Sequence, residues 1–183
     1  MMARRLSDTR VVTGTVRLSY AHLFEPYSAT EGQEKKYSVS LLIPKYDTAT
    51  IKMVKDAIEK AIQAGISSKW GGKRPKNLKT PLRDGDIERD DDVYADHFFM
   101  NANNKRKPGI LDKYKNKIDD PDEVYSGCYA LASVTFYPYN ANGNIGVGCS
   151  IDNVMKMDDG EPLGNVHTAE SDFGDIDLDD GLD

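Results

Sequence analysis

The chain has 183 residues, of which 39% are hydrophobic and 30% are charged, a composition typical of a globular domain in water. No apolar run approaches the ~20 residues that a membrane-spanning helix needs, and the N-terminus has no apolar segment of the signal-peptide kind. These features exclude an evident membrane anchor, and we expect no membrane contact and a cytosolic location.

The formal net charge of −6 is unevenly distributed along the chain. Residues 167–183 hold seven of the 30 acidic residues and no lysine or arginine. The remainder has 24 basic and 23 acidic residues, which is a net charge near +1. The acidic composition therefore does not argue against a nucleic-acid partner, because the negative charge is concentrated at one end.

Alternation of apolar and polar residues predicts two strands near the N-terminus, over residues 10–20 and 35–43. The predicted core faces are Val12, Val16, Leu18 and Tyr20 in the first strand, and Tyr37, Val39, Leu41 and Ile43 in the second. Pro44 ends the second strand.

A helix is predicted next, because apolar residues recur at helical spacing. The stripe consists of Ile51, Val54, Ile58 and Ile62, with Ala57 and Ala61 beside it. Asp47 or Thr48 can cap its start, and Gly65 is predicted to end it. We expect this helix to pack across a barrel.

The remaining β structure is predicted mostly in the second half of the body. Residues 67–92 suggest a long loop, and strands are expected over 94–102 and, briefly, over 109–111. Residues 127–139 and 145–151 are predicted to pair around a turn at 140–144. This pairing separates Cys128 and Cys149 by roughly 23 Å, so we expect two free thiols in the core rather than a disulfide.

About five strands, one helix and long loops predict a mainly β protein: a five-stranded Greek-key barrel of the OB type, which binds oligonucleotides across one face. The pattern alone leaves another five-stranded α+β fold open. We expect a flexible N-terminus over residues 1–9, the barrel domain over 10–157, and a linker with a disordered acidic tail over 158–183.

Two basic segments suggest contacts with phosphates and bases. The first has no acidic residue and contains Lys69, Lys73, Arg74, Lys76, Lys79 and Arg83, with Trp70 beside two glycines. The second contains Lys105, Arg106, Lys107, Lys113, Tyr114, Lys115 and Lys117, and it follows Phe98 and Phe99. The alternatives are that Trp70 fills the core and that both segments are ordinary charged loops.

The late strand places Tyr129, Tyr137 and Tyr139 on one face, opposite the apolar core face. Tyrosines in such positions can stack on bases, although cross-strand packing explains the pattern equally well.

Asp90, Asp91, Asp92, Asp96 and His97 form a weak candidate for a Mg²⁺ site of a nuclease. Three adjacent aspartates cannot all point at one ion, and charge runs are usually solvated. Neither a phosphate-binding glycine loop nor a Ser/His/Asp set is present. We therefore expect no metal, no cofactor and no catalytic activity.

Several segments resemble a family of single-stranded DNA-binding proteins from tailed phages and prophages. The segments that carry the resemblance are 11–20, 37–44, 70–73, 78–85, 108–110 and 123–129. The resemblance implies an OB fold and binding of single-stranded DNA (ssDNA) with little sequence preference. It also implies a role in phage DNA replication or recombination, in the cytoplasm of the bacterial host, and an acidic tail that regulates binding and recruits partner proteins.

From the basic segments, the aromatic residues and this resemblance we expect the following residues to bind DNA: Lys35, Lys36, Lys69, Trp70, Lys73, Arg74, Lys76, Lys79, Phe98, Phe99, Lys105, Arg106, Lys107, Lys113, Tyr114, Tyr129, Tyr137 and Tyr139. The expected regulatory residues of the tail are Asp172, Phe173, Asp175, Asp177, Asp179 and Asp180. Several tails of this kind end in an aromatic residue, whereas the one aromatic of this tail is Phe173.

The expected partners are ssDNA, duplex DNA more weakly, replication or recombination proteins, and a second copy of the chain in a homodimer. Two rival functions remain open: a Mg²⁺-dependent phage nuclease, and a phage structural or adaptor protein that does not bind DNA.

Overall fold

A computed structural model describes residues 3–164 and 169–176 of the chain. The strands are β1 (Arg4–Arg5), β2 (Arg10–Val12), β3 (Val16–Tyr27), β4 (Lys36–Pro44), β5 (Leu82–Asp84), β6 (His97–Asn104), β7 (Gly109–Leu111), β8 (Tyr129–Ala141) and β9 (Asn144–Asp158). The helices are α1 (Thr48–Ser68), α2 (Gly85–Glu88) and α3 (Ala169–Phe173). Among these described helices, none is long and apolar enough to span a bilayer.

Five strands close into a barrel in the order β3, β4, β6, β9, β8 and back to β3. All of these pairings are antiparallel except that of β6 with β9, which is parallel. A Greek-key barrel of five strands with this order is an OB-type barrel, so the predicted fold class is confirmed. Short strands extend it: β2 pairs with β8, β5 with β6, and β7 with β9.

The first predicted strand is interrupted in the structure, and this changes which of its residues reach the core. Val11 is buried instead of Val12, because residues 13–15 separate β2 from β3. Thr13 fills the break, where its hydroxyl accepts a hydrogen bond from the Ala132 amide at 3.1 Å. Further along, Tyr20 has a positive φ of 47° and is 68% exposed. The predicted core positions of Val12 and Tyr20 are therefore wrong, since each irregularity shifts the alternation by one residue.

The helix α1 starts as predicted, with the Asp47 carboxylate accepting a hydrogen bond from the Thr50 amide at 3.1 Å. Its predicted apolar stripe is buried against the barrel. However, Gly65 does not end the helix, which continues to Ser68. A β-carbon at Gly65 would lie 2.7 Å from both the Trp70 ring and the Pro138 side chain. The glycine therefore serves close packing rather than termination.

The hairpin of β8 and β9 turns at Asn142 and Gly143, both with positive φ, as a two-residue turn of this kind requires. Cys149 pairs in register with Phe136, eight residues along the chain from Cys128. Both cysteines are buried free thiols, as predicted. Burial raises the pKa of both thiols, so they remain protonated at neutral pH.

The loops are more structured than the sequence analysis predicts. The loop expected over 67–92 contains β5 and α2, and the strand expected from residue 94 begins at His97. After β9 the chain continues along the barrel, where the Leu163 amide donates to the Ser126 carbonyl at 2.9 Å. Within the segment expected to be a disordered tail, residues 169–173 form the short helix α3.

The contact at Gly65 generates a stability prediction with an unusual sign. Replacing glycine by alanine in an exposed helix interior normally stabilises by about 1 kcal/mol. Here we expect Gly65→Ala to lower the free energy of unfolding by ~1–3 kcal/mol, because the new methyl group overlaps Trp70 and Pro138. Urea unfolding followed by circular dichroism measures the change. Lys60→Ala on the exposed face of α1 is the control, and a stabilised Gly65→Ala protein would contradict the packing described.

Candidate nucleic-acid interface

One face of the barrel carries a groove formed by three adjoining concavities. The first and second share Asn103 and Tyr137. The second and third share Asn104, Thr135 and Asp152. The three concavities adjoin one another at these shared residues, and together they are called the groove.

The groove follows β9 from Val147 to Asn153, six residue steps that span about 20 Å. Its neighbours β6 and β8 supply the walls. The charged residues along it are Arg10, Lys36, Lys79, Arg83, Lys105, Arg106, Lys107 and Asp152. The groove is therefore lined by seven cationic side chains and one acidic one, although the body as a whole is nearly neutral.

Two tyrosine rings lie over glycines on the neighbouring strand. Tyr137 pairs with Gly148 and Tyr139 pairs with Gly146 across the β8–β9 hairpin. A β-carbon at Gly148 would lie within 2.8 Å of two ring carbons and the hydroxyl of Tyr137, and one at Gly146 would lie 2.7 Å from the Tyr139 hydroxyl. The glycines therefore let both rings lie across β9, and a larger residue would displace them.

The exposure of these rings suits contact with a flat ligand. Tyr137 is 39% exposed, and Tyr139 is half-buried. Partial burial is the main cause that raises the pKa of the Tyr137 phenol. The nearby Cys149 and Tyr139 side chains raise it further. The ring is therefore uncharged at neutral pH, and an uncharged aromatic face can stack on a nucleobase beside a polyanion without repelling it.

Three cations of the groove are paired with acidic neighbours. The Lys105 ammonium lies 3.5 Å from Glu34, and both side chains are more than half exposed. The Arg83 guanidinium lies 2.7 Å from Glu88, and the Arg10 guanidinium lies 3.7 Å from Asp152. The Lys105 pair is long and exposed, and pairs of this kind are weak, so Lys105 remains available to an incoming phosphate.

The structure brings together part of the predicted DNA-binding set. The predicted residues that line the groove are Lys36, Lys79, Lys105, Arg106, Lys107, Tyr137 and Tyr139. They come from β4, the loop before β5, the loop after β6, and β8, so the barrel joins segments that are distant in sequence.

Trp70 is not on this surface, and its predicted role in base stacking is wrong in this structure. The side chain is 8% exposed and belongs to the main core. Its indole N–H donates to the Tyr139 carbonyl at 3.1 Å. The alternative reading, in which Trp70 fills the core, is therefore the one that the structure supports.

Phe98 and Phe99 point to opposite sides of β6, and neither is presented to the groove. Phe98 packs against the core, with the Lys45 and Lys55 ammonium groups 5.2 and 5.5 Å from its ring centroid. Phe99 is fully buried and packs edge-on against Tyr94. The guanidinium groups of Arg83 and Arg89 lie over the Phe99 ring at 5.6 and 5.0 Å. Both phenylalanines are therefore corrections to the predicted contact set.

Tyr129 lies far from the other two tyrosines, although it shares β8 with them. Eight residues separate it from Tyr137, which is about 26 Å along a strand. The ring is half-buried between the Arg17 guanidinium, 5.6 Å from its centroid, and Gly160. The predicted single tyrosine face is therefore divided.

Other predicted cations lie outside the groove lining. Arg74 forms an ion pair of 2.7 Å with Glu59 on α1, which turns it toward the helix. Tyr114 is 74% exposed on the loop after β7, with the Lys113 ammonium 5.6 Å from its ring. The other predicted cations that do not line the groove are exposed: Lys35, Lys69, Lys73 and Lys76.

Several residues of the groove are absent from the predicted binding set. Arg10 lies at its β7 end, and polar side chains of the strands line its centre: Asn101, Asn103, Asn104, Thr135, Ser150, Asp152 and Asn153. Arg83 belongs to the first basic segment but not to the predicted binding set, although it lines the groove. The alternation of polar residues on β6 and β9 was the available signal, because it marks a face that the core does not use.

The acidic cluster proposed for a nuclease does not form a metal site in the structure. Asp90, Asp91, Asp92 and Asp96 are exposed. Within residues 3–164 and 169–176 there is no group of three or more His, Cys, Asp or Glu side chains placed to hold a metal ion. In the tail, Asp172, Phe173 and Asp175 are exposed, whereas Asp177, Asp179 and Asp180 lie outside the described residues.

The chain is similar to known phage proteins. The model of a family described as "Enterobacter phage Enc34, ssDNA-binding protein" matches residues 9–182. Protein p50 of Acyrthosiphon pisum secondary endosymbiont phage 1 is 33% identical, with 92% of this chain and 95% of that protein covered.

Two solved structures extend the comparison. The single-stranded DNA-binding protein of bacteriophage Enc34, in complex with ssDNA, has a TM-score of 0.77 and 25% identity, covering 86% of this chain and 91% of that one. The gp2.5 protein of bacteriophage T7 has a TM-score of 0.61 and 15% identity, covering 87% and 97%, a likeness of fold alone. With nearly its whole length matched, the chain belongs to the Enc34 family of phage single-stranded DNA-binding proteins.

Proposed function

We propose that this protein binds ssDNA along the groove, largely independently of sequence, and that it acts by stoichiometric binding and not by catalysis. The observation that carries the proposal is the groove itself: cations along its margins and two tyrosine rings supported by glycines, on one face of an OB-type barrel. This arrangement suits a single strand, because a single strand exposes both its phosphates and the faces of its bases.

The phosphates and the bases of the strand are bound by different side chains of the groove. Lysine and arginine side chains neutralise phosphates and release condensed counterions, which drives binding without regard to sequence. Tyr137 and Tyr139 offer flat faces to unpaired bases, and every base can stack on them. Duplex DNA binds more weakly in this proposal, because its bases are already stacked on one another.

In the cell, the protein would cover ssDNA produced during phage DNA replication or recombination in the cytoplasm of the host. The likeness to proteins named for ssDNA binding supports this role. The acidic tail would recruit replication or recombination proteins, and Phe173, 65% exposed at the end of α3, is its candidate aromatic contact.

This proposal predicts that affinity for ssDNA depends on salt concentration. If about four to six phosphates are contacted, the logarithm of affinity for oligo(dT) should fall with the logarithm of salt concentration with a slope between about −3 and −4. Fluorescence anisotropy over a salt series measures this slope. Arg106→Gln should make the slope less negative by about 0.7, because one phosphate contact is lost. Lys52→Gln on α1 should leave the slope unchanged. A flat response of the unaltered protein would reject phosphate binding.

Another prediction of this proposal distinguishes Tyr137 from Tyr114, which both belong to the predicted binding set. We expect Tyr137→Ala to weaken oligo(dT) binding by about 5- to 150-fold, the range for loss of one stacked base. Tyr114→Ala is the matched control, because Tyr114 is 74% exposed and lies outside the groove. Equal losses in both variants, or a loss at Tyr114 alone, would count against the groove as the binding surface.

We further propose that the acidic tail competes with ssDNA for the groove. Residues 167–183 carry seven acidic residues and resemble a nucleic-acid backbone in their charge. An attached segment competes at an effective concentration of up to about millimolar. The competition is electrostatic and should therefore weaken as salt rises.

We expect deletion of residues 167–183 to tighten ssDNA binding, with a larger gain at low salt. A full-length variant in which the seven acids become Asn or Gln should show the same gain, since it keeps the length and loses the charge. Equilibrium titration of the three proteins with one fluorescent oligonucleotide makes the comparison. Unchanged or weaker binding by both altered proteins would disprove competition by the tail.

A further inference from the structure

Asp152 is the one acidic side chain among the described residues that line the groove. It lies where the second and third concavities meet. Lys36 and Lys105 lie on one side of it, and Arg106 and Lys107 lie on the other. A carboxylate at this position repels phosphates and weakens binding of the backbone, so its presence on a polyanion-binding surface needs a separate explanation.

The carboxylate is held in a fixed orientation. The Thr135 hydroxyl donates to its Oδ2 at 2.5 Å, and the Ser150 hydroxyl donates to its Oδ1 at 3.3 Å. Thr135 and Ser150 are directly opposite each other in the β8–β9 pairing. The Arg10 Nε lies 3.7 Å from Oδ2, and the Asp152 side chain is 21% exposed. The group is therefore positioned by its neighbours while part of it remains open to the groove.

The carboxylate has accepting capacity left. An ionised carboxylate offers about four lone-pair sites. Oδ2 is engaged by Thr135 and approached by Arg10, whereas Oδ1 has the long Ser150 bond. A ligand that fills this part of the groove can therefore donate a hydrogen bond to Oδ1.

Two of the neighbouring amides are less available. The Asn104 amide donates to the Ile151 carbonyl at 2.9 Å and accepts from the Arg106 amide at 3.0 Å. The Asn153 side chain accepts from the Gly109 amide at 3.2 Å. Unlike these two amides, the Asp152 carboxylate keeps an oxygen that can accept a hydrogen bond from a base edge at this point of the groove.

The bases differ in what they offer to a carboxylate. Cytosine and adenine carry an exocyclic amino group, and acidic side chains accept hydrogen bonds from the cytosine amino group in other complexes. Thymine has no amino group, and carbonyl oxygens flank its single ring N–H. A base edge facing Asp152 is therefore attracted when it carries an amino group and partly repelled when it is thymine.

We propose that Asp152 reads the edge of one base in the groove and biases binding toward cytosine over thymine. This inference rests on the proposed binding of ssDNA to the groove, and it adds a base-dependent contact to a surface that otherwise binds phosphates and base faces. The competing explanation is that Asp152 only fixes the β8–β9 pairing and Arg10.

The test compares oligo(dC) and oligo(dT) of equal length by fluorescence anisotropy, at mildly alkaline pH and one salt concentration, with the full-length protein. We expect Asp152→Asn to tighten binding of both oligomers, because a negative charge leaves the groove. The affinity ratio of oligo(dC) to oligo(dT) should fall by about fivefold, the size of one hydrogen-bond contact to a base. Asp56→Asn, on the exposed face of α1, makes the same charge change away from the groove. It should leave the affinity ratio of oligo(dC) to oligo(dT) unchanged.

A second variant separates the loss of the base contact from the loss of negative charge. Thr135→Val removes the hydroxyl that positions the carboxylate but keeps the net charge, and we expect the same direction of change in the ratio. Thermal melting shows that each variant is folded. A ratio that stays unchanged in both folded variants would overturn the base-reading role and leave ssDNA binding intact. Failure of the unaltered protein to bind either oligomer would instead overturn the proposed function, and this inference with it.

Discussion

The proposed binding surface depends on the outer face of β9 carrying little side-chain bulk. Gly146, Gly148 and Ser150 follow one another on that face, each directly opposite a residue of β8. Without side chains at the two glycines, the rings of Tyr139 and Tyr137 cross over the strand and do not stand away from it. Because β9 pairs with both β8 and β6 to close the barrel, its outer face becomes the floor of a groove with two walls.

The electrostatics of the surface follow from the same closure. The body of the chain has a net charge near +1, so no overall positive field explains binding of a polyanion. The barrel instead gathers cations from β2, β4, β5, the loop before β5 and the loop after β6 onto one face. It leaves other basic residues elsewhere, such as Arg74 on the α1 side. Local arrangement, not composition, produces the attraction, and the groove tolerates one fixed carboxylate within it.

Much of the fold could be predicted from the sequence because its strands and helix have clear periodicities. The apolar stripe of α1 and the alternation in β8 and β9 identify the core correctly, and the Asn142-Gly143 turn fixes how β8 and β9 pair. Where the prediction fails, a local irregularity is the cause. The break at residues 13–15 moves Val11 into the core, and the packing of Trp70 against Gly65 lets α1 continue past a glycine.

The proposed binding site is harder to predict from sequence, because alternation tells which face a side chain takes but not what covers that face. Phe99 lies on the outer face of β6, yet Tyr94 and two arginines cover it. Tyr129 and Tyr137 have the same parity on β8, but the length of the strand separates them. Arg10 joins the groove only because β2 extends the sheet beside β8, a pairing that no local pattern reveals.

Mapping of amide chemical shifts during titration with a short oligo(dT) tests the central claim most directly. If bases lie along the floor of the groove, the largest changes should fall on β9 between Val147 and Asn153 and on β8 around Tyr137. Changes concentrated in residues 69–76 or 113–117, with β9 unaffected, would contradict the account.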